Sequence, residues 1–264
     1  MLMAVKNQIK VACLSIKYAL QREMLNKVTF FSNIIFMILN NACFIIQWVI
    51  IYSLKNNVGG YSFKQILLLW GIAAGTFGVA HFFFKEAFDL SDTINTGKLD
   101  AYLIQPKNVL ISSITSSVEV SCIGDMIYGW IMLFLYGFSI KNALLFLFFS
   151  ITGGLVIASL AVIFGSLSFW FGRVEIVANT INSLMTTFAT YPEGIFKGFV
   201  KVLFYTLLPI GFVNYIPINL LKEFSLLQFG IVVFITILFI ALAFFLFYKG
   251  LKRYSSSNLM NARV

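Results

Sequence analysis

Charged residues are scarce in this sequence: Asp, Glu, Lys and Arg make up 11% of 264 residues, against about a quarter in soluble domains. Hydrophobic residues account for 60% of the chain, and the mean hydropathy is +0.92. This balance excludes an ordinary soluble domain and predicts an integral membrane protein. The net charge of +9 does not indicate nucleic acid binding, because the basic residues lie beside apolar runs rather than in one patch.

Residues that hold metals or form disulfides are also few. Cys13, Cys43 and Cys122 form no CxxC pair, so reduced thiols are expected rather than a disulfide framework or a thiolate metal site. His81 is the only histidine, which excludes a site built from several histidines of one chain. A packed, hydrogen-bonded His81 is the favoured interpretation, and a proton carrier is the alternative. No metal site is predicted.

Catalytic signatures are missing as well. The sequence contains no GxSxG, no HExxH and no GxxxxGK[ST] pattern. Gly97-Lys98 is followed by Leu99 rather than Ser or Thr, and Asp92 stands where the last motif needs its first glycine. The chain is therefore predicted not to be an enzyme and not to bind ATP through such a motif.

Long apolar runs are abundant instead. A run of about 18 or more apolar residues is expected to cross a bilayer as a helix, because lipid offers no partner for unpaired backbone groups. Four clear runs and two less regular ones occur: 29–51, 64–84, 143–171 and 228–248, with further spans within 109–138 and over 176–191. The predicted fold is an all-α integral membrane protein with six transmembrane helices in a single transmembrane domain over residues 1–264.

Basic residues predict the orientation of these spans. With the N-terminus inside, the inner segments carry thirteen of the Lys and Arg residues and the outer segments carry six. Seven spans would instead place the two basic ends of the chain on opposite sides. Both termini are therefore predicted to be cytoplasmic, together with residues 85–108 and the tail 249–264.

Residues 1–27 are predicted to form an amphipathic helix in the membrane interface. The spread of lysines along this segment argues against a signal peptide. Apolar residues share one helical stripe, and polar residues flank it: Leu2, Val5, Ile9, Cys13, Ile16 and Leu20, with Lys6, Lys10, Lys17 and Gln21 alongside. A second apolar patch of Val11, Leu14 and Tyr18 leaves two interpretations open, a lipid anchor and a helix that also contacts protein.

Two acids lie in or near the predicted span within 109–138. Glu119 and Asp125 are about 240° apart around a helix, so they do not form one carboxylate pair. Charges at depth are costly and normally mark an interior ion pair, a wet cavity or an ion path. Structural ion pairs or interfacial exposure are the favoured interpretation here, and a role in a transport pathway is the alternative.

The run 176–191 carries a broad polar stripe. Its residues recur at three- and four-residue spacing in two adjacent rows: Asn179, Asn182, Thr186 and Thr190 in one, and Thr180, Ser183 and Thr187 in the other. Such a stripe is poorly placed against lipid and is expected to face another helix or an aqueous route. Helix packing, a translocation pathway and a subunit interface remain open interpretations.

The apolar pattern breaks after this stripe. Tyr191-Pro192-Glu193-Gly194 interrupts it, and the following apolar piece, about 198–213, is marginal for spanning before Pro209 and Pro217. Residues 191–217 are therefore predicted to form a re-entrant extracellular pair of short helices before the last span.

The segment 85–108 is a polar stretch between two apolar runs, and it is long for a simple connector. An apolar side of Phe88, Leu90, Thr93 and Ile94 predicts a short helix, with Asp89, Asp92 and Asn95 in water and Thr96-Gly97 as the stop. Leu99, Leu103 and Ile104 lead on to Pro106, which ends the element. An ordinary polar loop is the alternative.

The sequence INTGKLDAYLIQPKN in this segment resembles the I-x-x-G-x-L-D-x-x-L-x-x-P stretch in permeases of type-2 ATP-binding-cassette exporters. The matching positions are Ile94, Gly97, Leu99, Asp100, Leu103 and Pro106. The layout resembles that family too, with an interfacial N-terminal helix, six spans, a re-entrant hairpin before the last span and an aromatic-to-basic ending over 247–256.

This resemblance implies a bacterial plasma membrane protein whose 85–108 segment contains a coupling helix that docks on a separate ATPase subunit. The residues implied in coupling are Glu86, Phe88, Asp89, Leu90, Asp92, Ile94, Gly97, Leu99, Asp100 and Pro106. ATP and magnesium would be bound by the partner ATPase and no cofactor by this chain. A second permease subunit, as homodimer or heterodimer, and the lipid bilayer complete the expected partners.

By the same resemblance, the polar stripe of Asn179, Asn182, Thr186 and Thr190 would belong to the translocation pathway. The hairpin residues Tyr191, Pro192, Pro209 and Pro217 would form the outer gate. Spans rich in Phe and Tyr with few deep charges favour export of a hydrophobic or amphipathic drug, lipid or peptide. An ion-coupled secondary transporter and a non-transporting membrane scaffold remain the alternatives.

Overall fold

A computed structural model of the protein describes residues 2–255, and their side chains from residue 6 onward. This part of the chain is helical and contains no β-strand. Thirteen α-helices are described in chain order: α1 Leu2–Glu23, α2 Lys27–Leu54, α3 Phe63–Phe88, α4 Leu90–Asn95, α5 Asp100–Leu103, α6 Val109–Ile114, α7 Ser121–Gly137, α8 Ile140–Ser166, α9 Ser168–Phe171, α10 Glu175–Ala189, α11 Phe199–Leu203, α12 Ile216–Lys222 and α13 Leu226–Leu251. A 3₁₀ turn at Glu193–Ile195 and a π-helical turn at Gly211–Tyr215 complete the described elements.

Four of the described helices are long and apolar enough to cross a membrane. They begin at Lys27, Phe63, Ile140 and Leu226, which confirms the four clear runs of the sequence. The two less regular runs form shorter helices. The 17 residues of α7 and the 15 residues of α10 span about 26 and 22 Å at 1.5 Å per residue, less than the roughly 30 Å of a bilayer core.

Helix α3 lies at the centre of the fold. Most of its residues are buried, whereas few residues of α2 and α13 are. Its main neighbours are α7 and α8, and α8 in turn packs on α13. Because lipid is as apolar as a leucine side chain, such packing depends on close contact between small residues.

Glycines let the backbones of α3 and α7 approach each other. A Cβ atom added to Gly129 of α7 would lie 2.9 Å from the carbonyl oxygen of Gly71 and 3.1 Å from the amide nitrogen of Gly75. Both atoms belong to the backbone of α3, so no side chain can move aside to make room. The contact therefore requires a residue without a side chain at this position.

Replacing Gly129 by Ala is expected to destabilise the fold by about 1–3 kcal/mol, the usual cost of overpacking a core. The measurement is the apparent Tm of the detergent-purified protein, read by size-exclusion chromatography after heating. Gly230→Ala in α13 is the matched control, since a Cβ there meets nothing within 4 Å. A Tm for Gly129→Ala equal to that of this control would contradict the close α3–α7 contact.

The 85–108 segment folds back on the membrane helices. Within α3 the backbone of Phe84 leaves helical geometry, with φ −132° and ψ 36°, so the helix is kinked one turn before its end. Helix α4 then packs against α8 and α9. Leu90, Ile94 and Leu99 are buried in a small core that also contains Phe247 of α13.

The chain between α10 and α13 doubles back into the fold. The π-helical turn and α12 pack against α3 and α8, and the side chains of Tyr215, Ile218 and Leu220 are fully buried. Tyr215 donates to the carbonyl oxygens of Phe188 and Tyr191 at 3.2 and 3.1 Å. These bonds hold the end of α10 against the returning chain, and the Phe188 carbonyl also accepts from the Tyr191 backbone N–H at 3.3 Å.

The N-terminal helix contacts protein, which decides between the two interpretations of its apolar surface. The amide oxygen of Gln8 accepts from the Asn108 backbone N–H at 2.9 Å. Ile16, Ala19 and Leu20 pack in a cluster with Phe82 and residues that precede α7. This contact surface is not the second apolar patch that the sequence suggested, since Leu14 and Tyr18 of that patch are exposed.

Candidate functional site

A cavity of about 510 Å³ lies between α2, α3, the start of α7 and α10. One part of its wall is polar and includes Asn41, Gln47, His81, Glu119, Asp125 and Thr186. Another part is aromatic and consists of Phe44, Trp48, Trp70, Phe77 and Tyr191. Drug-sized ligands occupy pockets of about 300–1,000 Å³ that combine an apolar lining with a few polar groups.

The two acids have different surroundings in this cavity. The carboxylate of Glu119 lies 3.6 Å from the ammonium nitrogen of Lys85 and accepts from the Ser121 hydroxyl at 3.1 Å. Asp125 accepts from the Asn41 side-chain amide at 2.6 Å and has no ion pair with a residue that the structure describes. A structural ion pair therefore describes Glu119, whereas Asp125 presents a carboxylate on the cavity wall with an amide partner.

The polar stripe of α10 divides between two surfaces, and Asn182, which lies beside His81 and Phe88, is on neither of them. Thr186, Thr187 and Thr190 line the cavity. Asn179, with Thr180 and Ser183, lies on the outer surface of α10 in a shallow groove that Thr187 also borders. Several hydroxyl groups bond within their own helix, for example Thr186 to the Asn182 carbonyl at 3.0 Å. Their hydrogen-bonding needs are thus partly met before any ligand or partner arrives.

His81 connects the cavity to the 85–108 segment. Its Nδ1–H donates to the Phe77 carbonyl at 3.0 Å, because a carbonyl oxygen can only accept, and its Nε2 lies 3.4 Å from the Asn182 amide nitrogen. Its ring stacks on that of Phe88, with centroids 3.9 Å apart and planes at 9°. His81 is thus the packed, hydrogen-bonded residue that the sequence favoured. It also lies where α3, α10 and the start of the segment meet.

Most motif residues of the segment are held by the chain itself. Leu90, Ile94 and Leu99 are at most 2% exposed, so Leu90 belongs to the core and offers no docking surface in this conformation. Gly97, at φ 76°, follows the last turn of α4, in the left-handed conformation that favours glycine. Asp100 accepts from the Tyr254 hydroxyl at 2.8 Å, and burial together with this bond raises the pKa of Tyr254.

The remaining motif residues lie nearer the surface. Glu86 accepts from the Ser117 hydroxyl at 2.6 Å, and Phe88 is half-buried beneath His81. Asp92 accepts from Lys98 at 2.8 Å, and this bond raises the pKa of the Lys98 ammonium. Asp89 and Pro106 are exposed. The outward surface of the segment therefore combines these polar groups with the apolar side chains of Leu103 and Ile104, which are 40% and 86% exposed.

The hairpin residues are also brought near the cavity, but only one lines it. Tyr191 borders the cavity and packs edge-on to Trp48, with ring centroids 5.9 Å apart. Pro192, Pro209 and Pro217 are buried within the returning chain. Pro192 also lies against Gly59 of the loop between α2 and α3.

The contribution of α2 to the cavity was missed by the sequence reasoning. Asn40, Asn41 and Gln47 lie on the cavity wall beside Phe44 and Trp48. A signal for them exists, because Asn40 and Gln47 are seven residues apart and share a helix face in an otherwise apolar span.

Comparison with known families decides what kind of protein this is. The family model described as ABC-2 family transporter protein matches residues 23–258, which include the cavity, the 85–108 segment and the returning chain. The chain belongs to the ABC-2 transporter family. The resemblance inferred from INTGKLDAYLIQPKN is thereby confirmed. Comparison with curated proteins and with solved structures gave no match.

Membership identifies this ABC-2 protein as a multi-pass membrane permease and a component of membrane transport rather than a catalyst. The all-helical architecture with several apolar helices agrees with it. Because the chain is a permease, the cavity between its membrane helices is a candidate route for the transported substrate.

Proposed function

We propose that this chain is the membrane-spanning subunit of an ATP-binding-cassette exporter, and that its hydrophobic or amphipathic substrate passes through the cavity. The observation that carries the proposal is the stack of His81 on Phe88, which joins the cavity wall to the start of the 85–108 segment. A permease driven by another chain must couple the cavity to the docking surface, and packed side chains that contact both are one physical carrier of such coupling.

A six-span topology completes the proposed architecture. Helices α2, α3, α8 and α13 cross the bilayer fully. Helix α7 spans it together with the preceding α6, and α10 does so with the returning chain at its outer end. The excess of Lys and Arg on the inner side favours cytoplasmic termini in a bacterial plasma membrane.

The 85–108 segment is the proposed docking site for the ATPase. Membership of the family implies an ATP-binding partner subunit. The exposed side chains of Asp89 and Lys98, with the half-buried Asp92, supply polar contacts, while the buried Leu90 and Ile94 fix the segment on α8. ATP and magnesium belong to the partner in this arrangement, and the permease supplies no cofactor site.

A second permease subunit is proposed to face α2 and α10. The side chains of Asn179, Thr180 and Ser183 are exposed on α10, where lipid would leave their polar groups poorly solvated. Contact with another subunit gives these groups protein or water as partners. The cavity would then lie at the interface of two permeases.

In the proposed mechanism, closure of two ATPase subunits moves the 85–108 segments and the N-terminal helices as levers. Helix α1 is suited to this because Gln8 bonds to Asn108 at the end of the segment. Tilting of α3 and α10 would close the cavity on the inside and open it on the outside past Tyr191. Nucleotide supplies the difference in binding free energy between the two states that such a change requires.

Purification of the chain from native membranes tests the proposal. We expect an ATPase that contains a GxxxxGK[ST] motif to co-purify in about equal molar amount. Two rival classes predict different results. An ion-coupled secondary transporter would purify without an ATPase and transport in proteoliposomes under an ion gradient alone. A scaffold would show neither activity, and either outcome would overturn the proposal.

A further inference from the structure

The charged residues that line the cavity limit the charge of the ligand that it can bind. Among the described residues that line it, two are acids and none is Lys or Arg. Lys85 offsets the charge of Glu119 at 3.6 Å, whereas Asp125 has the neutral amide of Asn41 as its partner. A carboxylate beside an apolar wall, without a cation nearby, favours a ligand that brings a positive charge.

The aromatic wall of the cavity also favours a positively charged ligand. The rings of Phe44 and Trp70 stack with centroids 5.6 Å apart, and Trp48 packs edge-on to Tyr191 at 5.9 Å. These rings come from α2, α3 and the end of α10, so they border the cavity from several directions. Aromatic faces attract organic cations through the negative charge at the centre of the ring, and they also provide apolar contact.

The volume and the lining residues of the cavity further limit the class of ligand that it can bind. A volume of about 510 Å³ is far larger than an inorganic ion needs, and the described residues contain no group of three or more His, Cys, Asp and Glu side chains that could hold a metal. An anion would be repelled by Asp125, and a neutral lipid would gain no attraction between opposite charges from it. A bulky cation with apolar groups fits both walls.

We infer that the cavity binds a lipophilic organic cation, with Asp125 as its counter-ion and Phe44 and Trp48 as ring contacts. The inference rests on the proposed function in one respect: it makes this cation the cargo of the permease. Binding itself needs no ATPase, because all the residues involved belong to this chain.

The test uses the full-length permease in nanodiscs of zwitterionic lipid and the probe tetraphenylphosphonium, followed by isothermal titration calorimetry. Tetraphenylborate, which has the same shape and the opposite charge, reports apolar partitioning. Asp125→Asn keeps an acceptor for Asn41 and removes the charge. We expect this variant to lower the phosphonium affinity about tenfold and not to lower the borate affinity, because the charge that it removes attracts only the cation.

Glu223→Gln is the matched control, since Glu223 is exposed and does not line the cavity. An equal loss for both ions in Asp125→Asn, or no loss for the cation, would overturn the inference. If that variant fails to fold, Phe44→Leu replaces it, because Phe44 is 47% exposed and tolerates change. This variant should weaken phosphonium binding about threefold, and unchanged binding would also refute the proposed site.

The two proposals fail separately. Selective cation binding by a chain that co-purifies with no ATPase would leave the inference standing and remove the proposed function. A co-purifying ATPase with no selectivity for the phosphonium ion would remove the inference alone.

Discussion

Replacing Asp89 by Lys is expected to lower the amount of ATPase that co-purifies with the permease by about tenfold, as loss of a charged contact at an interface does. Asp89 is exposed on the 85–108 segment, where the acids Glu86 and Asp92 and the base Lys85 all act on it. A lysine there is attracted by the acids and repelled by Lys85, and its exposure lets it point into water, so the permease itself should fold normally. The loss would then report docking rather than misfolding.

The measurement is the molar ratio of ATPase to permease after affinity purification at physiological salt. Glu223→Lys is the control, because it reverses another exposed acid at the start of the last connection before α13, which the proposed topology places outside the cell. A ratio for Asp89→Lys that matches this control would exclude the segment as the docking surface.

Replacing Phe88 by Ala is expected to reduce the ATP-dependent change in the accessibility of the cavity about tenfold. The variant removes the ring that stacks on His81 at 3.9 Å and so breaks the contact between the cavity and the segment. Loss of this half-buried ring also leaves a void beside Ile157 and Leu160 of α8. The amount of ATPase that co-purifies should fall by much less than tenfold, because the exposed surface of the segment is retained.

Cavity accessibility gives a readout that does not depend on the identity of the cargo. A single cysteine at Thr190 on the cavity wall, in a background where Cys13, Cys43 and Cys122 are replaced, reports the rate of maleimide labelling with and without ATP and vanadate. Phe88→Tyr keeps the stack and should restore the ATP effect to within about twofold. Phe171→Ala, at a residue 74% exposed, is the control. An ATP effect in Phe88→Ala equal to that of the control would contradict transmission through this contact.

The 85–108 segment shows how far sequence reasoning reached. The apolar side of Leu90, Thr93 and Ile94 and the stop at Gly97 were expected, and the structure has α4 end at Asn95 with those three side chains buried. The sequence offered Leu90 as a docking side chain, because an apolar residue on a polar segment has two possible partners, another protein or the rest of the chain. Only packing on Gly165 and Phe247 shows that it is the latter.

The cavity illustrates the opposite case. Asp125 and the α10 threonines were noted separately, and nothing in their spacing brings two helices 60 residues apart to one wall. Asn41 of α2 bonds to Asp125 across 84 positions of the chain, and His81 of α3 contacts Asn182 of α10 across 101. Such contacts depend on how α2, α3, α7 and α10 pack, which periodicity within one helix does not record.

The sequence alone determined that this is a helical membrane protein, where its four long spans lie and which family its polar segment resembles. These conclusions follow from local properties, since apolar length and composition decide whether a helix can enter lipid. The tertiary structure decided which side of each helix faces the cavity, which motif residues are buried and that His81 meets Phe88. These features depend on contacts between distant parts of the chain. Glycines at the helix contacts, such as Gly71, Gly75 and Gly129, determine how closely the helices approach each other.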